Sequence, residues 1–137
     1  MLSPFLHAQF FSSSISTNHN QMNLSAFINI VQTTLDKIYD SIDKKEYSII
    51  DNMNLIDNVL TINIKGQKTY VLNIQKPTRQ LWLSSPFSGP KRFEYDIKMS
   101  KWYDIRNKKI TLYELLNAEI NKELINNNIK NNELKLL

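Results

Sequence analysis

The hydrophobic pattern becomes regular at Leu24. Phe27, Val31, Leu35, Ile38 and Ile42 recur at spacings of four, four, three and four residues. That is one apolar stripe, and it predicts a helix over 24–45. Asp36, Asp40 and Asp43 recur at i, i+4 and i+7 on a different face and form a carboxylate row. From Asn52 to Ile105 the period falls to two. Leu60, Ile62 and Ile64 alternate with Thr61 and Asn63. Tyr70, Leu72 and Ile74 oppose Val71, Asn73 and Gln75. Leu81 and Leu83 oppose Gln80, Trp82 and Ser84, and Phe93 and Tyr95 oppose Arg92 and Glu94. Lys101–Ile105 predicts a further strand, with the face of Trp102 left open. Turns around Lys65-Gly66-Gln67 and Asn107-Lys108 imply antiparallel pairing, and one polar face per strand implies a sheet covered on one side.

A second helix begins at Thr111, where Thr111-Leu112-Tyr113-Glu114 has the form of a capping box. Its buried ridge is Leu112, Leu116, Ile120 and Leu124, joined by Leu115. Asn126–Asn132 is low in complexity and is expected to fray. Helix, antiparallel strands and helix make an α+β two-layer sandwich, with two helices packed on one face of the sheet. The organisation expected is a leader over 1–21, a folded domain over 22–125 and a tail over 126–137. The leader contains no Asp, Glu, Lys or Arg and is rich in Ser and Phe, which suits a removable organelle-targeting segment.

Composition narrows the chemistry. The 137 residues include no cysteine, and the histidines are His7 and His19, both ahead of the first helix. The folded part therefore has no thiolate or imidazole for a zinc site and no Ser-His or Cys-His nucleophile pair. It cannot carry a persulfide. A bound metal would need oxygen ligands, which suit hard cations held weakly. The net charge of +4 is uneven: six acids face three lysines over 24–57, whereas eleven Lys or Arg face three acids over 65–109. A basic middle suits an acidic partner surface or nucleic acid. No apolar run approaches the roughly 20 residues that span a bilayer.

Residues 80–93, Gln-Leu-Trp-Leu-Ser-Ser-Pro-Phe-Ser-Gly-Pro-Lys-Arg-Phe, concentrate one of two tryptophans, one of two glycines and two of four prolines. Pro86 and Pro90 fix φ and Gly89 permits positive φ, so the segment reads as a rigid turn between two strands. Alternation puts Trp82 on the wet face with Asn73, Gln75, Gln80 and Arg92. A solvent-facing tryptophan beside amides and an arginine has the composition of a binding hot spot. This string, with Tyr70–Arg79 running into it, closely resembles the signature of the frataxin family, and the resemblance extends from about Phe27 to Leu124.

The resemblance implies two roughly parallel helices on an antiparallel sheet. It also implies a place in mitochondria or a mitochondrion-related organelle, specifically the matrix, and work in iron–sulfur cluster assembly. The partners implied are the cysteine desulfurase and the scaffold protein, with the chain binding their complex and stimulating sulfur transfer as an allosteric activator. Docking would use Asn73, Gln75, Gln80, Leu81, Trp82 and Arg92. Iron (Fe2+/Fe3+) would be held weakly at Asp36, Asp40 and Asp43, with Glu46 and Asp51 nearby. The first strand has Asn52 and Asn54 where relatives commonly carry acids. The alternative is an iron chaperone or ferroxidase oxidising Fe2+ at the acidic helix face. A single-stranded nucleic-acid module is a third reading, but one aromatic on the basic face is too few for base stacking. The expectation is a monomer with no organic cofactor, nucleic-acid partner or membrane partner.

Overall fold

A computed structural model describes residues 22–137, and the leader expected over 1–21 lies outside them. Helix α1 spans Leu24–Asp43. Its start is fixed by Asn23, whose Oδ1 accepts from the backbone N–H groups of Ser25 (2.8 Å) and Ala26 (3.4 Å), two donors a helix N-terminus otherwise leaves orphaned. The strands are β1 (Ile50–Ile56), β2 (Val59–Ile64), β3 (Lys68–Gln75), β4 (Gln80–Ser85), β5 (Gly89–Asp96) and β6 (Lys101–Asp104), and helix α2 spans Leu112–Asn126. The six strands pair antiparallel in chain order, so the sheet is a meander. It begins two residues earlier than the alternation suggested.

The turns explain the short connections. Asp57 and Asn58 both have positive φ (51° and 60°) and join Ile56 to Val59 in a two-residue hairpin. Asx residues tolerate that conformation, which matches the twist of the flanking strands. Gly89 opens β5 at φ +81°, and a Cβ there would meet nothing within 4 Å. Glycine is needed at that position for its backbone conformation, with no demand for space.

One core lies between the sheet and the helices. Phe27, Val31, Leu35, Ile38 and Ile42 of α1, and Leu112, Leu116, Ile120 and Leu124 of α2, meet Leu60, Ile62, Tyr70, Leu72, Leu81, Leu83 and Phe93 of the sheet. The structure settles the face of Trp102. It is buried, edge-on to Phe27 and Tyr95, and its Nε1–H donates to Thr34 Oγ1 at 2.9 Å. Thr34 Oγ1 in turn donates to the Ile30 carbonyl at 2.7 Å, so this polar pair is satisfied inside the core. Thr111 caps α2 by accepting from the Glu114 N–H at 3.3 Å; the reciprocal bond, from the Thr111 N–H to the Glu114 carboxylate, is not made.

Helix α2 ends at Asn126 and no helix continues through the low-complexity stretch to Asn132, but the chain beyond it packs back on the domain. Leu134 and Leu136 are 1% and 3% exposed and belong to the core. Asn121 accepts from Leu134 N–H (2.6 Å) and donates to its carbonyl (2.9 Å). Asn117 does the same for Leu136 at 2.8 and 3.0 Å. Two asparagines one helical turn apart thus act as a strand edge, pairing the backbone of an extended segment that low complexity alone gave no reason to expect.

Candidate functional site

The face of the sheet away from the helices carries the site, because the pleat sends alternate residues there. Strand register sets its rows. Asn73 pairs with Trp82, and Trp82 pairs with Arg92, so three adjacent strands bring these side chains side by side. The next row is Gln75, Gln80, Glu94 and Tyr103. The rigid turn between β4 and β5 keeps the rows aligned. Ser85 Oγ accepts from the N–H groups of Phe87 and Ser88 (both 3.0 Å) and donates to the Glu119 carboxylate of α2, which also takes the Ser88 hydroxyl at 3.0 Å.

At the centre, the Arg92 guanidinium lies over the Trp82 indole, 4.5 Å from the ring centroid. Trp82 Nε1–H donates to Gln80 Oε1 at 2.9 Å, and Gln80 Nε2 donates to Glu94 Oε1 at 3.1 Å. The indole is therefore held in orientation from its own strand while staying half-exposed. Arg92 is exposed and forms no salt bridge among the described residues, so its fork of N–H donors remains open to a planar anionic or carbonyl acceptor. Asn73 and Gln75 are half-exposed beside it.

Two expected docking residues are corrected. Leu81 is fully buried in the core, because the alternation that sends Trp82 outward sends its neighbour inward; no partner can reach its side chain. Gln80 is on the outer face but only 8% exposed. Both ends of its amide are spent on Trp82 and Glu94, so it supports Trp82 and offers little contact surface of its own. Glu94 was missed. Its signal was in the sequence, since it lies two residues from Arg92 on the same face.

The carboxylates are arranged differently. Asp36, Asp40, Asp43, Glu46 and Asp51 are all exposed. Among the described residues no group of three or more His, Cys, Asp or Glu comes close enough together to hold a metal ion. A helix rises about 1.5 Å per residue, so a single-file row spreads its carboxylates along the axis and does not close around one cation. Asn52 and Asn54 add no charge. Asn52 accepts from Asn63 (2.7 Å), which accepts from Thr69 (2.8 Å), a polar ladder across three strands.

The molecule is thus a small two-layer α+β sandwich that presents an uncovered sheet face built on a tryptophan–arginine stack. The chain belongs to the frataxin family: the frataxin-like domain model matches residues 20–126. It is 39% identical over 119 residues to the mitochondrial frataxin of Dictyostelium discoideum, covering 80% of this chain and 60% of that protein. To the mitochondrial frataxin of Caenorhabditis elegans it is 33% identical, covering 91% and 89%. Of the Dictyostelium, Schizosaccharomyces pombe and Drosophila melanogaster relatives it spans about 60% of the length. Among solved structures, a frataxin from Psychromonas ingrahamii shares the fold at TM-score 0.68 and 22% identity, over 83% of this chain and 97% of that one. A trimeric frataxin from Saccharomyces cerevisiae complexed with ferrous iron superposes at TM-score 0.61 and 28% identity, over 81% and 95%. The relatives are named mitochondrial, which places this chain in the mitochondrion or a related organelle.

Proposed function

We propose that this chain acts in iron–sulfur cluster biogenesis and iron handling, the province of the frataxin family, by docking its open sheet face on the complex of cysteine desulfurase and scaffold protein. The observation that carries the reading is the Arg92–Trp82 stack in register with Asn73. Trp82 supplies a large, orientation-fixed anchor whose burial on docking contributes most of the affinity. Arg92 is pre-organised by the indole, so fewer rotamers are lost when it meets an acceptor. Asn73 and Gln75 offer amides to polar groups at the assembly site. With no cysteine in the chain, sulfur passes between the partners. The role of this protein is to favour the arrangement in which the transfer occurs, a population shift. Iron enters as a weakly held cation at the exposed carboxylates of α1, Asp36, Asp40 and Asp43, with Glu46 and Asp51 beyond them. Well-spread oxygen ligands bind a hard cation loosely.

The test is desulfurase turnover with scaffold, iron and reductant, with and without this protein. Trp82→Ala removes a half-exposed side chain from the sheet surface, so the fold should persist. Loss of a hot-spot tryptophan costs about 2–4 kcal/mol of docking, and half-maximal stimulation should move to roughly 30-fold higher concentration or beyond. Stimulation by Trp82→Ala equal to that of the parent would refute the docking model.

A further inference from the structure

A meander gathers alternate turns at one end of the sheet. The β1–β2, β3–β4 and β5–β6 turns share an end, and the start of α1 joins them there, since Arg79 Nε of the β3–β4 turn donates to the Met22 carbonyl at 3.1 Å. Four of the large apolar side chains that the fold leaves in solvent collect at this end: Leu24 at 41% exposure, Ile56 at 63%, Ile97 at 66% and Met99 at 56%. Ile97 and Met99 stand on the β5–β6 hairpin tip with Lys98 between them and Lys101 just beyond. The tip is shaped by Asp96, whose Oδ1 accepts from Met99 N–H at 3.0 Å, and by Ser100 at φ 53°. Lys76 is exposed on the adjacent turn, and none of Lys76, Lys98 and Lys101 has a carboxylate partner among the described residues. With Arg79 they outnumber the acids of these three turns, Asp57 and Asp96; Glu114 at the start of α2 lines a cavity with Ser100 and Lys101.

We propose that this end of the sandwich is a peripheral contact for an anionic lipid surface. Aliphatic side chains on separate convex turns suit a fluid surface, which needs no shape complementarity. A protein interface would be expected to offer an aromatic anchor in a packed pocket, and the residues named have none. Unpaired lysines around aliphatic tips match negatively charged headgroups over an apolar layer. Such a contact needs no spanning helix, so it is compatible with the absence of any helix among the described residues long and apolar enough to cross a membrane. It does depart from the expectation of no membrane partner. The Trp82 face lies at right angles to this end and stays free, so a bilayer-bound molecule could still engage its protein partners.

Co-sedimentation of the full chain with phosphatidylcholine vesicles, with and without cardiolipin, tests this. Binding should require the anionic lipid and weaken at high salt. Lys98→Gln/Lys101→Gln should lower partitioning by roughly twenty-five-fold, at about fivefold per lysine. Ile97→Ser/Met99→Ser should lower it by about tenfold or more, and Trp82→Ala should leave it unchanged. The tip positions are exposed, so both tip variants should melt at the parent temperature. Vesicle binding that ignores the anionic lipid, or that both tip variants retain in full, overturns the proposal. So does the absence of any vesicle binding, and tip variants that then lose desulfurase stimulation would make this end a protein interface.

Discussion

Leu134→Ala/Leu136→Ala tests how the tail is held. Both side chains are essentially buried, at 1% and 3% exposure, and a buried Leu→Ala change costs about 2–5 kcal/mol. The two lie two residues apart on one docked segment, so their costs will not simply add. A loss of about 4–6 kcal/mol is expected, against a total of about 5–15 kcal/mol for a domain of this kind. Lys135 lies between them with its side chain 71% exposed, so Lys135→Ala should cost under about 0.5 kcal/mol. Asn121→Asp separates hydrogen bonding from packing. It keeps the acceptor for Leu134 N–H, removes the donor to the Leu134 carbonyl and sets a carboxylate against that oxygen. About 1–3 kcal/mol should be lost with almost no change in volume. Urea unfolding followed by tryptophan fluorescence reads all three variants, since buried Trp102 becomes exposed on unfolding. If the double leucine variant is no less stable than Lys135→Ala, the tail is not part of the core and the reasoning fails.

Two further outcomes are expected. The hydroxyls of Tyr47 and Tyr70 are buried without a hydrogen-bond partner among the described residues. Burial pushes both above the ordinary tyrosine value of 10.0, with Glu133 adding to the shift at Tyr47 and Glu119 at Tyr70. A raised folded value means the unfolded chain releases these protons first, so stability is fully present below pH 10.0 and falls as pH rises above it. Tyr47→Phe/Tyr70→Phe should be near neutral at pH 7 and should flatten that alkaline loss; an unchanged alkaline slope in urea titrations would count against it. For iron, Asp36→Asn/Asp40→Asn/Asp43→Asn should abolish weak Fe2+ binding in anaerobic calorimetry while leaving desulfurase stimulation through the sheet face intact. Undiminished binding would remove α1 as the iron site.

Much of this was legible in the chain. The stripe of α1 and the ridge of α2 are buried as the periodicity requires, because a helix repeats at 3.6 residues whatever it packs against. The alternation around Trp82 also placed Leu81 inward correctly; it was the family likeness that drew Leu81 into the docking set. Alternation assigns a side of the sheet, however, and says nothing of how neighbours cover that side. Gln80 and Trp82 share a face, yet the cross-strand carboxylate of Glu94 and the indole of Trp82 consume both ends of the Gln80 amide.

By itself, the sequence determined the element order, the side taken by the alternating residues of β2 to β5 and the rigid Pro-Phe-Ser-Gly-Pro turn, since all of these follow from local backbone preference and short-period hydrophobicity. Tertiary structure decided the rest. It turned Trp102 inward onto Thr34, 68 residues away. It locked the β4–β5 turn to Glu119 and zipped the tail onto Asn117 and Asn121. It also left the carboxylates of α1 strung along the helix surface without closing them around a cation. Each of these depends on pairing partners distant in the chain, and no local pattern records which distant partner will be there.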